Sequence, residues 1–137
     1  MSMGYGGSAR IVLQDESTVV YEYLAYNLND HKYKNIDRVY DGLITINKSA
    51  MVEPEIHVKN KKMSNGRKKI LVKRIRHDVD YTSLFNTGKI RVENSSYCWY
   101  YVDQMNNIGM IATKIIFRIF QKYQDEGGLP EIVTVYY

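Results

Sequence analysis

The chain has 137 residues, 45% of them hydrophobic and 25% charged, and a formal net charge of +4. These values exclude a disordered chain and suit a single domain over residues 1–137. One cysteine, Cys98, excludes an internal disulfide, and no apolar run is long enough for a membrane span, so we expect a cytoplasmic protein without a membrane partner.

Two β-strands are predicted near the start of the chain. Residues 1–8 contain three glycines and no signal-peptide pattern, so we expect a flexible leader there. Residues 9–14 and 18–28 are rich in β-branched and aromatic side chains, and the polar run Asp15-Glu16-Ser17 between them predicts a hairpin turn. The second run is apolar on both faces, which predicts a central strand covered on both sides.

Shorter elements are predicted in the middle of the chain. Residues 39–47 favour a third strand, with a bulge at Asp41-Gly42. Residues 80–86 are typical of one helical turn, and residues 89–94 alternate as a short strand.

A long helix is the clearest predicted element. Apolar residues recur at spacings of three and four between 108 and 123, with polar residues at 113, 114, 118, 121 and 122 on the opposite side. Asp103 or Asn106-Asn107 would cap its start, Gly127-Gly128 would end it, and residues 131–137 read as a last strand. We therefore predict an α+β fold: a mainly antiparallel sheet of about five to six strands with one long C-terminal helix packed on a face.

The charge of the chain is concentrated in one short window. Residues 1–55 carry 5 basic and 8 acidic side chains, and residues 77–137 carry 5 basic and 7 acidic ones. Residues 56–76 carry 9 basic side chains and no acidic one. The nine are Lys59, Lys61, Lys62, Arg67, Lys68, Lys69, Lys73, Arg74 and Arg76.

Ser64-Asn65-Gly66 in the middle of this window predicts a β-hairpin over residues 56–76. A three-residue loop would place Lys62 opposite Lys68 and Lys61 opposite Lys69, whereas a two-residue loop would place Lys62 opposite Lys69. Like charges in register destabilise a ladder, so we expect a frayed basic tip above an apolar root that joins the core. The nine basic residues are the candidate site for an acidic protein or for nucleic-acid phosphates.

Two other function classes are open. The 13 tyrosines suit a half-buried sheet face, which favours a protein–protein adaptor or inhibitor, or a homodimer. Asp78, Asp80 and Glu93 would serve a small metal-dependent enzyme if the fold brought them together. His57 and His77 with Glu53 or Glu55 form a weaker metal candidate, and Cys98 has no nearby base that would make it a nucleophile. No motif specifies catalysis or a cofactor, so we expect neither, and the leading hypothesis is a non-enzymatic binding protein.

Overall fold

The structure is a computed structural model, and it describes residues 3–103 and 107–137. Its strands are β1 (Tyr5–Gln14), β2 (Thr18–Asn27), β3 (Gly42–Asn47), β4 (Glu55–Lys62), β5 (Lys68–Ile75), β6 (Ile90–Glu93), β7 (Tyr101–Val102), β8 (Ile108–Gly109) and β9 (Ile132–Tyr136). Its helices are α1 (Tyr81–Asn86) and α2 (Met110–Glu126), with short 3-10 turns at His31–Tyr33 and Lys48–Ala50.

The main sheet has five antiparallel strands in the order β6-β3-β2-β1-β9. The predicted first hairpin is confirmed, and its turn forms because an Asp15 carboxylate oxygen accepts hydrogen bonds from the Ser17 and Thr18 amides at 2.8 and 2.9 Å. The expected leader is wrong for residues 5–8, which form the start of β1 between β2 and β9. Met1 and Ser2 lie outside the described residues.

Helix α2 covers one face of this sheet and closes the core. Its buried residues at spacings of three and four meet the inward side chains of β1, β2, β3, β6 and β9. The largest fully buried side chains include Tyr21 and Tyr23 of β2, so two of the tyrosines are core residues. The α+β prediction is therefore confirmed.

The ends of α2 differ in part from the prediction. The helix ends at Glu126 and is capped by Gly127, as predicted. Gly127 has a φ of 83°, which glycine adopts without strain, and its amide donates a hydrogen bond to Tyr123 O at 3.0 Å. At the start, Gly109 is the N-cap residue, and no described side chain caps the helix, so Asp103 and Asn107 are not its caps. Asn106 lies outside the described residues. Thr113, expected on the polar side, is buried, and its hydroxyl donates to Gly109 O at 3.1 Å.

The second face of the sheet carries no helix among the described residues. On this face of β2, Leu24 is buried and Arg38 of the following loop lies over the Tyr26 ring, whereas Val20 and Glu22 are half-buried. The expected cover on both sides is therefore only partial, and the central place of β2 is confirmed. Arg10 pairs with Glu22, and its guanidinium lies 3.8 Å from the centre of the Tyr40 ring. The β2–β3 pairing begins at Gly42 without a register shift, so the bulge expected at Asp41-Gly42 is absent.

No helix in the described part of the chain is long and apolar enough to cross a membrane.

Candidate binding hairpin

Strands β4 and β5 form the predicted β-hairpin, which is a separate two-stranded antiparallel sheet. Residues 64–66 make a three-residue loop closed by a hydrogen bond from the Met63 amide to Arg67 O at 2.6 Å. The Asn65 carboxamide oxygen accepts from the Arg67 amide at 3.0 Å, and Gly66 has the positive φ that this loop type needs. Each strand has eight residues, so the hairpin is about 26 Å long.

Every residue of the two strands is exposed. The prediction that the apolar root would join the core is therefore wrong. The core is already closed by α2 on the five-stranded sheet, and the hairpin adds no strand to that sheet. The hairpin thus extends outside the main core along its whole length.

The register sorts the hairpin side chains onto two faces. Directly opposed residues share a face, so Ile56 with Arg74, Val58 with Val72, and Asn60 with Ile70 lie on one side. Ile56, Val58, Ile70 and Val72 are 52%, 66%, 65% and 58% exposed, and we call these four residues the apolar face. The other side carries His57, Lys59, Lys61, Lys69 and Lys73 beside Leu71.

Like charges oppose each other at the tip. Lys61 faces Lys69 and Lys62 faces Lys68, which is the arrangement predicted for a three-residue loop. No side-chain hydrogen bond or ion pair within the described residues engages Lys59, Lys61, Lys62, Arg67, Lys68, Lys69 or Lys73. Seven of the nine basic residues are therefore available to an outside partner.

Arg74 and Arg76 instead attach the hairpin to the end of α2. Arg74 donates to Gln124 O at 3.3 Å, and Arg76 makes a two-point contact with the Asp125 carboxylate at 2.9 and 2.6 Å. The ion pair raises the pKa of Arg76 and lowers that of Asp125. These two members of the predicted site therefore have intramolecular roles.

Gln124 completes this attachment. Its side chain is buried, accepts from the His77 amide at 2.7 Å and donates to His77 O at 3.0 Å. The carboxamide thus pairs with the backbone just beyond β5 as another strand would. This role was not predictable from the sequence, because Gln124 lies at the polar end of an amphipathic helix.

The carboxylates of the predicted metal sites are not gathered. No three His, Cys, Asp or Glu side chains in residues 3–103 and 107–137 lie close enough together to hold a metal ion. Asp80 instead caps α1 by accepting from the Ser83 amide at 3.1 Å, and His57 pairs with its neighbour Glu55 at 2.9 Å. The Asp78, Asp80 and Glu93 site and the histidine site are therefore not formed.

A polar network around Asp41 was not predicted from the sequence. Asp41 accepts hydrogen bonds from the Ser95 hydroxyl at 2.6 Å and from the amide and hydroxyl of Ser96, while the Tyr23 hydroxyl accepts from the Ser95 amide at 2.8 Å. Burial opposes ionisation of Asp41, but the bonds from Ser95 and Ser96 outweigh it and lower its pKa. The network ties the loop before β3 to the loop after β6.

Cys98 lies beside this network as a buried thiol. Burial raises its pKa, which keeps the thiol protonated, and the sulfur packs against Gly109.

No protein-family model matches the chain, and searches of curated proteins and of solved structures returned no match.

Proposed function

We propose that the protein is a non-enzymatic binding protein that docks its β4–β5 hairpin on an acidic surface of another protein. The observation that carries the proposal is the apolar face: four β-branched side chains, each more than half exposed. Around it lie seven basic residues that pair with no described side chain. An apolar centre within a polar rim is the usual arrangement of a protein–protein interface.

The apolar face favours a protein over nucleic acid. Phosphate contacts need positive charge and hydrogen-bond donors, and they leave aliphatic side chains in water. Full burial of one Val or Ile side chain contributes about 1.5–3 kcal/mol, so a partner that covers the apolar face gains more than a polyanion does. The lysines then select a partner whose rim is acidic and accelerate its association.

The isolation of the hairpin supports the same function. A two-stranded sheet without a packed face is only marginally stable in water. A partner that covers the apolar face and neutralises the opposed lysines removes both causes of this instability. Binding and ordering of the hairpin are therefore expected to be coupled.

The proposal is tested with two variants and two probes. In the charge variant Lys61, Lys62, Lys68 and Lys69 become Ser; in the apolar-face variant Ile56, Val58, Ile70 and Val72 become Thr, which keeps the β-branched backbone preference. The probes are a 12-residue peptide that alternates Glu with Val and a 20-nucleotide DNA, single-stranded or duplex. Affinities are measured by fluorescence anisotropy at 50 and 200 mM salt.

We expect the peptide to bind the wild type and to lose at least tenfold in affinity with either variant. DNA binding, if seen, should be weaker, should fall steeply with salt, and should be unaffected by the apolar-face variant. Peptide binding that the apolar-face variant leaves unchanged would contradict the proposal. Tight DNA binding that depends only on the charge variant would assign the hairpin to nucleic acid instead.

A further inference from the structure

Strand β9 forms one edge of the main sheet and exposes half of its backbone groups. Its inner neighbour is β1, and the bonds from Ile11 N to Glu131 O (3.0 Å) and from Tyr137 N to Tyr5 O (2.9 Å) show that odd-numbered residues bond inward. The amides and carbonyls of Ile132, Thr134 and Tyr136 therefore point away from the sheet, because the direction alternates along an antiparallel strand. No other strand in the described part of the chain pairs with this edge.

The β9 edge lacks the usual protection against strand pairing. Its five residues, Ile-Val-Thr-Val-Tyr, include no charge, proline or glycine. Ile132 and Tyr136 are 63% and 74% exposed. The opposite edge is protected: β6 has only four residues and exposes Arg91 and Glu93.

We infer that β9 pairs with β9 of a second copy of this chain, antiparallel and with the twofold axis at Thr134. This register places Thr134 opposite Thr134, and Ile132 opposite Tyr136 twice. In this register all three residues of each strand whose backbone groups point outward pair with the other copy. A shift by two residues in either direction leaves only two of the three backbone pairs. The two Ile–Tyr pairs are of the β-branched and aromatic kind that stabilises neighbouring strands.

Charge complementarity supports a second copy as the occupant. The same register brings Glu131, which is exposed and directly precedes β9, opposite Tyr137 of the other copy. Lys114 of α2 lies over the Tyr137 ring, with its ammonium nitrogen 4.6 Å from the ring centre. Each copy therefore offers Lys114 to Glu131 of the other, and the pairing joins two five-stranded sheets into one of ten strands.

Sedimentation equilibrium from 1 µM to 1 mM tests the pairing. The wild type should pass from monomer to dimer over this range. Thr134→Pro should stay monomeric, because proline removes an outward amide that bonds no described residue of the same copy. Thr134→Val is the matched control, since it also lacks the hydroxyl bonded to Ser8 but keeps the amide, and it should dimerise like the wild type. If circular dichroism shows that Thr134→Pro does not fold, Thr134→Lys takes its place as the test variant. It should be monomeric, because it places two lysines opposite each other at the twofold axis.

Disulfide trapping tests the register. Thr134→Cys should form a dimer under mild oxidation, because position 134 faces itself, whereas Ile132→Cys faces Tyr136 and should not; Cys98 is buried in both. A wild type that is monomeric at 1 mM would overturn the inference. So would a dimer that persists in folded Thr134→Pro or Thr134→Lys, or trapping that is equal at positions 132 and 134.

Discussion

Arg74 and Arg76 lie where the last turn of α2 would otherwise be unfavourable. That turn carries Asp125 and Glu126, although a helix C-terminus is the negative end of the helix dipole. The guanidinium of Arg76 pairs with Asp125, and that of Arg74 bonds the free carbonyl of Gln124. The base of the hairpin thus stabilises the end of the helix, and the helix end holds the hairpin in place.

Gln124 should contribute most to this attachment because its carboxamide is buried and makes two backbone bonds. We expect Gln124→Leu to lower the free energy of unfolding by about 1–3 kcal/mol, since it leaves the amide and carbonyl of His77 without partners. Gln121→Leu, three residues earlier on α2, should change it by less than about 0.5 kcal/mol. Urea denaturation measures both, and equal effects would refute the assigned role.

Asp41 should make stability depend on pH. Its pKa is lowered from 3.8 in the folded state, so its stabilising contribution is present above pH 3.8 and is lost as the pH falls through the lowered value. We expect Asp41→Asn to cost about 1 kcal/mol at pH 7 and progressively less towards pH 2. Denaturation from pH 2 to 7 checks this, with Asp37→Asn on the exposed loop as the control for charge alone. A cost that is independent of pH would contradict the role of the carboxylate.

At the scale of the elements, the five-stranded sheet and the β4–β5 hairpin should differ widely in stability. Strands β1, β2 and β3 border the buried core, whereas no side chain of β4 or β5 is buried. We expect the hairpin amides to exchange with an opening free energy of about 2 kcal/mol or less. The opening free energy of the β2 amides should approach the free energy of global unfolding. Hydrogen exchange followed by NMR measures both. Hairpin amides protected as strongly as those of β2 would mean that the hairpin is stable on its own.

Elements with a local signal could be predicted from the sequence. The Asp15–Ser17 turn, the Asn65-Gly66 loop and the apolar repeat of α2 each depend on neighbouring residues, and all three are present. The prediction of a flexible leader is wrong for residues 5–8 because Gly7 is closely packed: a Cβ atom there would lie 2.3 Å from Leu24 O and 2.5 Å from an Ile111 methyl carbon. Both constraints come from residues far along the chain.

The candidate site was predicted only in part for the same reason. The basic window and the register of its lysines follow from the sequence. The apolar face does not, because alternating Ile56 and Val58 look the same on a strand that packs in a core and on one that does not. The roles of Arg74 and Arg76 also required the position of α2, which lies about fifty residues further along the chain.

At the scale of the whole molecule, charge and core are separated. The five-stranded sheet and α2 hold the core, while the hairpin holds the positive charge. Replacing residues 60–70 with Asn-Gly removes five basic residues and lowers the net charge from +4 to −1, but it leaves Arg74, Arg76 and the core untouched. We expect this variant to fold with a melting temperature within a few degrees of the wild type and to lose peptide binding. A variant that is unfolded at room temperature, or whose melting temperature is far below that of the wild type, would show that the hairpin is part of the folding unit.

Hydrogen exchange of the full chain with and without the Glu-Val peptide tests the central claim most directly. The account predicts that saturating peptide slows exchange at least tenfold in β4 and β5 while the amides of β2 and β3 are unchanged, and that the apolar-face variant abolishes this protection. Peptide that binds without protecting the hairpin, or that protects it equally in the apolar-face variant, would contradict the assignment of the hairpin as the docking surface.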